Sequence, residues 1–308
     1  MIGIEAIGSY VPSGGRTEGD LMESFSVDES FLRDKTGFLH ARRKDENDET
    51  SDLCVAAIND LVAKTGLDLA EIECLVVCTQ NPDGHGIPHT SAIVHGKMSL
   101  PVSCATFDVS LGCSGFVMGL SVVKSFMESN GMTRGLFVTA DPYSKILNEE
   151  DKNTALLFGD AATATLLSDT PQWSLGRFVF GSDGSKGRAI TTNDQRELTM
   201  NGRGVFVFSA QVVPQMIKDL LGEQSLDVQD VDYYLLHQGS RYIVETIGSS
   251  LGVSSEKAPF MAAETGNTVS SSIPLMLCDE RFASAERLLL AGFGVGLSWA
   301  GCLLSRAR

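Results

Sequence analysis

A cysteine at a strand-to-helix junction is the residue best suited to covalent chemistry in this sequence. Cys113 follows the strand-forming residues 105–109 (Ala-Thr-Phe-Asp-Val) through a glycine turn, and apolar side chains recur at helical spacing over residues 114–129. The unpaired N–H groups and the positive dipole end of a helix N-terminus favour a thiolate over a thiol. We expect Cys113 to be a nucleophile on this ground, although a lone free cysteine is more often a small buried apolar residue.

A histidine and an asparagine supply the polar groups that such a nucleophile needs. His237 ends the apolar run 233–236, so we expect it at the carboxyl edge of a sheet, where open α/β sheets bind ligands. Asn267 lies in the turn-forming segment 264–268. A thiolate accepts an acyl group, while a neutral imidazole and an amide donate hydrogen bonds to an oxyanion or enolate. Together these side chains fit thioester cleavage, although singly a strand-end histidine is usually just solvated and a Gly-Asn pair just a turn.

Two further motifs fit ligand sites less well. His85, His89 and His95 lie close together, but their spacing matches neither a HExxH helix nor a Cys/His finger, so we predict no metal site. The glycine-rich segment 292–297 lacks the order of a dinucleotide or phosphate loop. Its glycines allow backbone N–H groups to approach a reacting carbonyl.

Strands and helices alternate along the chain and predict an α/β fold. Amphipathic helices are expected at residues 50–64, 90–98 and 114–129. Buried strands are predicted where apolar runs are short and continuous, at residues 2–10, 74–79, 105–109, 136–138, 162–167 and 233–236.

The second half of the chain repeats the first, weakly but in the same order. Residues 67–78 align without gaps with residues 226–237, so that His237 occupies the position of Cys78. We therefore predict a duplicated unit, with an N-terminal half at residues 1–171 that carries Cys113 and a C-terminal half at residues 172–308 that carries His237 and Asn267. Two further pairs of segments align in the same order, residues 136–140 with 288–292 and residues 161–168 with 298–305.

The composition excludes several functional classes. The chain has 308 residues, 43% hydrophobic content and a formal net charge of -15, which fits a globular protein and argues against nucleic acid as a partner. Seven cysteines without a framework spacing indicate a reducing compartment, so we expect a cytoplasmic protein. No apolar run is long enough to span a membrane and the start of the chain lacks an export pattern, so no membrane association is expected.

In combination, these features resemble the β-ketoacyl-acyl-carrier-protein synthase III family of thiolase-fold condensing enzymes. The resemblance implies a duplicated five-layered αβαβα architecture, with the active site between two similar halves and usually a homodimer. The motifs that carry it run in order along nearly the whole chain: residues 49–53, the Cys113 turn, Phe-Gly-Asp-Ala at 158–161, Met-Asn-Gly-Arg at 200–203, His-Gln at 237–238, Gly-Asn-Thr at 266–268 with Ser-Ile-Pro at 272–274, and the segment from Phe-Gly at 293–294 through Trp299.

The resemblance also implies a role for each site residue. Cys113 takes the acyl group from acyl-CoA, while His237 and Asn267 bind the malonyl thioester and stabilise the enolate formed on loss of carbon dioxide. The backbone N–H groups of Cys113 and Val295 form the oxyanion hole. No metal or redox cofactor is implied. The positions that bind the CoA nucleotide in the family are Phe31, Lys35 and Lys152 here.

The chain departs from the family pattern near the predicted site. Gly239 and Ser240 stand where Ala-Asn is usual, which shortens a hydrogen-bonding side chain. Phe31 and Lys35 replace tryptophan and arginine, which keeps an aromatic face and a positive charge but loses a bidentate guanidinium. Ile87 occupies a position from which the dimer mate often contributes a phenylalanine to the acyl pocket. Because isoleucine is smaller, we expect a chain longer than acetyl to fit.

The surface that receives the acyl-carrier protein in this family is less basic here. With a net charge of -15, the loss of local positive charge is expected to slow and weaken association with this acidic partner. Val207, Tyr242, Ser249 and Ser250 occupy positions that are commonly basic, which leaves mainly Arg203 and Arg241 for carrier binding.

The expected function is an acyltransferase that condenses an acyl-CoA with a malonyl thioester, on a carrier protein or CoA, in fatty-acid or specialised metabolite biosynthesis. An alternative keeps the acylation of Cys113 but passes the acyl group to a hydroxyl, an amine or another small acceptor without decarboxylation. A silent subunit of a heterodimeric synthase is disfavoured, because Cys113, His237 and Asn267 are all present. The sequence defines neither the acyl chain nor the acceptor.

Overall fold

A computed structural model describes residues 1–307, in which α-helices cover a large central β-sheet. The predicted α/β architecture is confirmed. No helix in this range is both long enough and apolar enough to cross a bilayer. The strands are β1 (Gly3–Tyr10), β2 (Gly15–Arg16), β3 (Ala41–Arg42), β4 (Cys74–Cys78), β5 (Ala105–Val109), β6 (Arg134–Ala140), β7 (Ala162–Ser168), β8 (Trp173–Ser182), β9 (Ile190–Thr192), β10 (Leu198–Met200), β11 (Tyr233–Leu236), β12 (Arg287–Gly294) and β13 (Ser298–Arg306). The α-helices are α1 (Glu18–Phe25), α2 (Glu29–Phe31), α3 (Thr50–Thr65), α4 (Thr90–Lys97), α5 (Gly115–Ser129), α6 (Lys152–Ala155), α7 (Gly202–Gly222), α8 (Arg241–Leu251) and α9 (Ser272–Leu277).

The main sheet has nine strands in the order β11-β12-β13-β8-β1-β7-β6-β4-β5. On one side, β4 runs parallel to β5 and β6, and β7 runs antiparallel to β6 and β1. On the other side, β11 runs parallel to β12, and β13 runs antiparallel to β12 and β8. The two sides meet where β1 pairs with β8 through Gly3 and Ile4. Apart from the edge strand β5, the same succession of one parallel and two antiparallel pairs therefore occurs twice, in β4-β6-β7-β1 and in β11-β12-β13-β8.

Helix α5 lies in the core between these two sides. Its Phe116 and Leu120 are fully buried in a cluster that also contains Val76 of β4 and Leu290 of β12. Gly119 allows the helix to approach the sheet, since a Cβ there would lie 2.1 Å from the Phe137 ring. Because α5 packs between strands of both sides of the sheet, the residues just before it are held where the two sides meet.

Two elements that matter for the site have no counterpart in the sequence predictions. One is the long helix α7, which contains Pro214 and many β-branched and aromatic residues that obscure a helical pattern. The other is the short hairpin formed by β9 and β10, which pair only with each other. Both contribute side chains to the cavity described below.

Candidate active site

Cys113 lies in the turn between β5 and α5, pressed against the turn that follows β12. Its side chain is 6% exposed. A Cβ on Gly294 would lie 2.9 Å from the Cys113 Sγ, and a Cβ on Gly112 would lie 2.6 Å from Val295 Cγ1. The two glycines therefore allow these turns to approach each other more closely than any side chain would permit.

The environment of Cys113 favours the thiol in the resting protein. Burial, assisted by the nearby carboxyl of Asp141, raises the pKa of Cys113 to about 12. Hydrogen bonds from the backbone N–H groups of Cys113 and Val295 act in the opposite direction but are weaker. The expectation that the helix N-terminus makes Cys113 a thiolate is therefore wrong for the free protein, because desolvation outweighs the helix-end groups. The same two N–H groups are the predicted oxyanion hole.

His237 follows the last residue of β11 and is 3% exposed. Its backbone N–H donates to the Ala291 carbonyl at 2.9 Å, which continues the pairing with β12. Its ring packs edge-on against Phe293, with centroids 5.5 Å apart, and Nδ1 lies 2.8 Å from the Ser272 hydroxyl. Burial lowers the pKa of His237 to about 3, so the imidazole is neutral near neutral pH.

Asn267 is 5% exposed and is held by backbone and side-chain bonds. Its N–H donates to Leu157 O at 2.7 Å, and its carbonyl accepts from Gly159 N–H at 2.9 Å. Its Oδ1 accepts from the Val269 N–H at 2.9 Å. Val269 has a φ of 53°, a left-handed conformation that is rare for a β-branched residue and that turns its N–H toward Asn267. With Oδ1 engaged, the NH₂ group is the part of this amide that remains to donate to a ligand.

The structure brings Cys113, His237 and Asn267 to one cavity of about 230 Å³. The wall is mostly apolar, and part of it comes from α7 and the β9–β10 hairpin, which the sequence predictions missed. Residues 239 and 240, which depart from the family pattern, also line it. The apolar side chains around the three polar residues are Leu157, Phe158, Ile190, Met200, Val205, Phe206, Ile243 and Phe293.

Three cationic or aromatic residues predicted to bind nucleotide lie at the mouth of this cavity. Lys35 is part of its lining, and its Nζ lies 4.9 Å from the centroid of the Tyr242 ring. Phe31 and Lys152 line a neighbouring cleft of about 170 Å³, with Lys152 Nζ 5.1 Å from the Phe31 centroid. The cavity and the cleft share Thr36, Leu157, Met200 and Gly202, so they are contiguous.

The other three predicted substrate-binding residues lie outside the cavity. Arg203 lines a separate surface cleft that also contains Lys186. Arg241 donates from Nε to the Arg33 carbonyl at 3.0 Å and stacks over Phe260 at 4.7 Å. Ile87 is 93% exposed on a surface loop.

The histidines considered as metal ligands make separate contacts. His89 Nε2 lies 3.3 Å from the Thr106 hydroxyl, and His95 Nε2 lies 2.9 Å from the Pro101 carbonyl. Within residues 1–307, no three His, Cys, Asp or Glu side chains are grouped as metal ligands would be.

Comparisons with known proteins agree with this geometry. Residues 107–184 match the family model of 3-oxoacyl-[acyl-carrier-protein] synthase III, and residues 221–306 match the model of its C-terminal part. The chain is 32% identical over 315 residues to the β-ketoacyl-[acyl-carrier-protein] synthase III of Streptococcus gordonii, covering 96% of each chain.

Solved structures extend the similarity to the whole fold. The β-ketoacyl-[acyl-carrier-protein] synthase III of Thermus thermophilus is 28% identical with a TM-score of 0.91, covering 99% of each chain. The priming β-ketosynthase of the R1128 polyketide pathway is 27% identical with a TM-score of 0.88, covering 99% of this chain and 96% of that one. The predicted thiolase-like fold is confirmed.

Proposed function

The chain belongs to the 3-oxoacyl-[acyl-carrier-protein] synthase III family of acyl-transferring condensing enzymes, and we propose that it joins an acyl group held on Cys113 to a malonyl thioester with loss of carbon dioxide. The observation that carries this proposal is the convergence of a thiol, a neutral imidazole and an amide on one buried apolar cavity. The product is a 3-oxoacyl thioester.

The first half-reaction transfers the acyl group to Cys113. The sulfur attacks the thioester carbonyl of acyl-CoA, the carbon–sulfur bond to CoA breaks, and the proton of the thiol ends on the released CoA. In this proposal the N–H groups of Cys113 and Val295 bind the carbonyl oxygen as it becomes negative. Because the resting sulfur is a thiol, this half-reaction includes the loss of its proton.

The second half-reaction needs hydrogen-bond donors for an enolate. When the malonyl carbon–carbon bond breaks, carbon dioxide leaves and the electron pair becomes an enolate with charge on the thioester oxygen. A neutral His237 that carries its proton on Nε2 and the NH₂ group of Asn267 bind this oxygen. The enolate carbon then attacks the acyl-cysteine carbonyl, and the Cys113 sulfur leaves and takes up a proton.

The residues at the cavity mouth support binding of a CoA ester. Lys35 and Lys152 place two positive charges beside the aromatic rings of Tyr242 and Phe31. These cations fit phosphate groups, and the rings offer flat faces to an adenine base. Arg203 and Arg241 remain candidates for contact with an acyl-carrier protein.

We further propose that two copies of the chain assemble into a homodimer. Strand β5 is the edge of the main sheet next to Ile87, which is 93% exposed, and Val102, which is 99% exposed. An open strand edge flanked by exposed aliphatic side chains fits an interface between copies. In such a dimer, Ile87 would reach the acyl cavity of the partner.

In the proposed reaction the protein uses neither a metal nor an organic cofactor. Its proposed location is the cytoplasm. Thiol, imidazole, amide and backbone groups supply the nucleophile and the donors that both steps use. All seven cysteines are free thiols, which fits a reducing compartment.

Intact-mass measurements test the proposed function. We expect an acyl-CoA panel to add the acyl mass at Cys113, and malonyl-CoA or malonyl-carrier protein to discharge it as a 3-oxoacyl thioester. His237→Ala and Asn267→Ala should slow the discharge far more than the acylation, and Cys113→Ala should abolish acylation. An acyl-enzyme that malonyl thioesters leave untouched would refute condensation and favour transfer to another acceptor.

A further inference from the structure

The hydroxyl of Ser272 lies against the edge of the His237 ring that points away from the substrate cavity. Ser272 begins helix α9, immediately after the turn formed by Val269–Ser271. Its Oγ lies 2.8 Å from His237 Nδ1, and both side chains are 3% exposed. Among residues 1–307, His237 is the one hydrogen-bonding partner of this hydroxyl.

The two ring nitrogens of His237 face different surroundings. A Cβ built on Gly239, which lines the substrate cavity, would lie 3.8 Å from Nε2, so Nε2 is on the cavity side. Nδ1 points to Ser272, which lines a second cleft of about 180 Å³ together with Gln238, Thr268 and Met276. Ser272 therefore separates the imidazole from this second cleft.

A neutral imidazole carries one N–H, and its position depends on the bond at the other nitrogen. If the Ser272 O–H donates to Nδ1, the proton of the ring resides on Nε2, where it donates into the substrate cavity. If Nδ1 carries the proton, Nε2 has only a lone pair, which repels an enolate oxygen. Without the hydroxyl, water in the second cleft would meet Nδ1 as donor or acceptor, and the backbone of Val269, the other polar group that acts on this ring, would be left to bias the tautomer.

We propose that Ser272 is a positioning residue that holds neutral His237 in the tautomer with the proton on Nε2. This inference rests on the proposed function, because the Nε2–H group is the donor assigned there to the enolate. It predicts that Ser272 acts on the malonyl step and leaves the acylation of Cys113 almost unaffected.

The variants for the test are Ser272→Ala, Ser272→Thr and the matched control Ser270→Ala. Ser270 is equally buried, at 1% exposure, and its hydroxyl has no partner within residues 1–307. It lies two positions from Ser272 in the same segment, so its truncation controls for the loss of a buried hydroxyl. Ser272→Thr keeps the hydroxyl and tests whether a hydroxyl at this position is enough to set the tautomer of His237.

The first measurement is the tautomer itself, read from the ¹⁵N shifts of the His237 ring in uniformly labelled protein with His237→Gln as the assignment reference. We expect a proton on Nε2 in the wild type and in Ser270→Ala, and a mixture of tautomers in Ser272→Ala. A wild-type ring protonated on Nδ1, or an unchanged tautomer in Ser272→Ala, would overturn the proposal.

The second measurement separates the two half-reactions. Ser272→Ala should discharge its acyl-cysteine with malonyl-CoA on the order of 10- to 100-fold more slowly, while its acylation rate stays within about twofold of wild type. Ser272→Thr should recover most of the discharge rate. Equal loss of both rates in Ser272→Ala would count against a positioning role. If the wild type itself failed to acylate or discharge, the proposed function would fail, and the tautomer measurement would still decide the role of Ser272.

Discussion

At the scale of single residues, the site keeps its thiol and its imidazole uncharged. The pKa of Cys113 is raised to about 12 and that of His237 is lowered to about 3, in both cases mainly because the side chain is buried. The pair therefore does not form a thiolate–imidazolium ion pair in the resting protein. A neutral imidazole suits a step that donates a hydrogen bond to a developing anion, which is the role that condensation requires.

Asp141 provides a test of the electrostatics at Cys113. Its Oδ1 accepts hydrogen bonds from Gln80 N–H at 3.0 Å and from Asn81 Nδ2 at 3.1 Å, and an asparagine oxygen at this position accepts both. Asp141→Asn removes the negative charge that helps to raise the pKa of Cys113. We expect a lower pKa of the thiol and severalfold faster alkylation by iodoacetamide at mildly alkaline pH, measured by intact mass. The exposed Asp169→Asn is the control, and an unchanged rate in Asp141→Asn would contradict the assignment.

The same substitution predicts a change in the pH dependence of stability. Burial raises the pKa of Asp141 from 3.8 to about 7, so the folded protein keeps a proton that the unfolded chain loses in this interval. The free energy of unfolding therefore falls as pH rises through this window, by up to about 1.4 kcal/mol per pH unit. Urea unfolding across the window should show this loss in the wild type but not in Asp141→Asn. Parallel curves for the two proteins would show that Asp141 titrates normally.

At the scale of elements, the site depends on two turns that approach each other without side chains between them. The turn before α5 carries Cys113, and the segment after β12 carries Val295. Gly294 lies at the contact, where a Cβ would stand 2.8 Å from the Cys113 Cβ. Glycine is required there because the two turns lie too close together for a side chain. It is not required by an unusual backbone angle, since the φ of Gly294 is not positive.

Gly294→Ala should therefore disturb the nucleophile more than the fold. We expect at least a tenfold slower acylation of Cys113, together with a loss of about 1–3 kcal/mol in the free energy of unfolding from overpacking. Gly222→Ala at the end of α7 is the control, because a Cβ there meets no atom within 4 Å. The acylation rate by mass spectrometry and the urea midpoint measure the two effects. An acylation rate in Gly294→Ala equal to that of the wild type would show that the two turns can move apart without disturbing Cys113.

At the scale of the whole molecule, the same local pattern of hydrogen bonds occurs on both sides of the main sheet. Glu73 Oε2 accepts the N–H groups of Thr133 and Arg134 at 2.6 and 3.1 Å, and Asp232 Oδ2 accepts those of Glu286 and Arg287 at 2.7 and 2.9 Å. These two carboxylates occupy corresponding places in the aligned segments 67–78 and 226–237. We propose on this basis that residues 1–171 and 172–308 are the two halves of a duplicated unit.

The proposed dimer connects Ile87 to the choice of substrate. Ile87→Phe should shorten the preferred acyl chain, because a larger side chain from the partner would fill part of the acyl cavity. Light scattering of the purified protein should give the mass of two chains, and acylation by a panel of acyl-CoAs should show the shift. Val102→Ala, which trims an exposed side chain next to the same strand, controls for a general effect on assembly. A monomeric mass, or a chain preference that Ile87→Phe leaves unchanged, would refute the contribution of the partner.

The α/β class and the bounds of the strands that deliver the site residues follow from local patterns in the amino-acid sequence. Strands β5 and β11 were predicted with the same ends that the structure has, because a short apolar run bounded by turn residues is a local signal. Cys113, His237 and Asn267 could be singled out because residue type and position next to such an element are also local.

Properties that depend on contacts between distant segments of the chain became visible in the folded protein alone. The pKa of Cys113 follows from burial and from Asp141, which outweigh the helix end that the sequence makes visible. Part of the cavity wall comes from α7 and the β9–β10 hairpin, whose sequence patterns do not reveal what they face. Ser272 belongs to the Ser-Ile-Pro motif at residues 272–274, but its contact with His237 is visible only when the fold brings the two within 2.8 Å, because 35 residues of chain separate the two side chains.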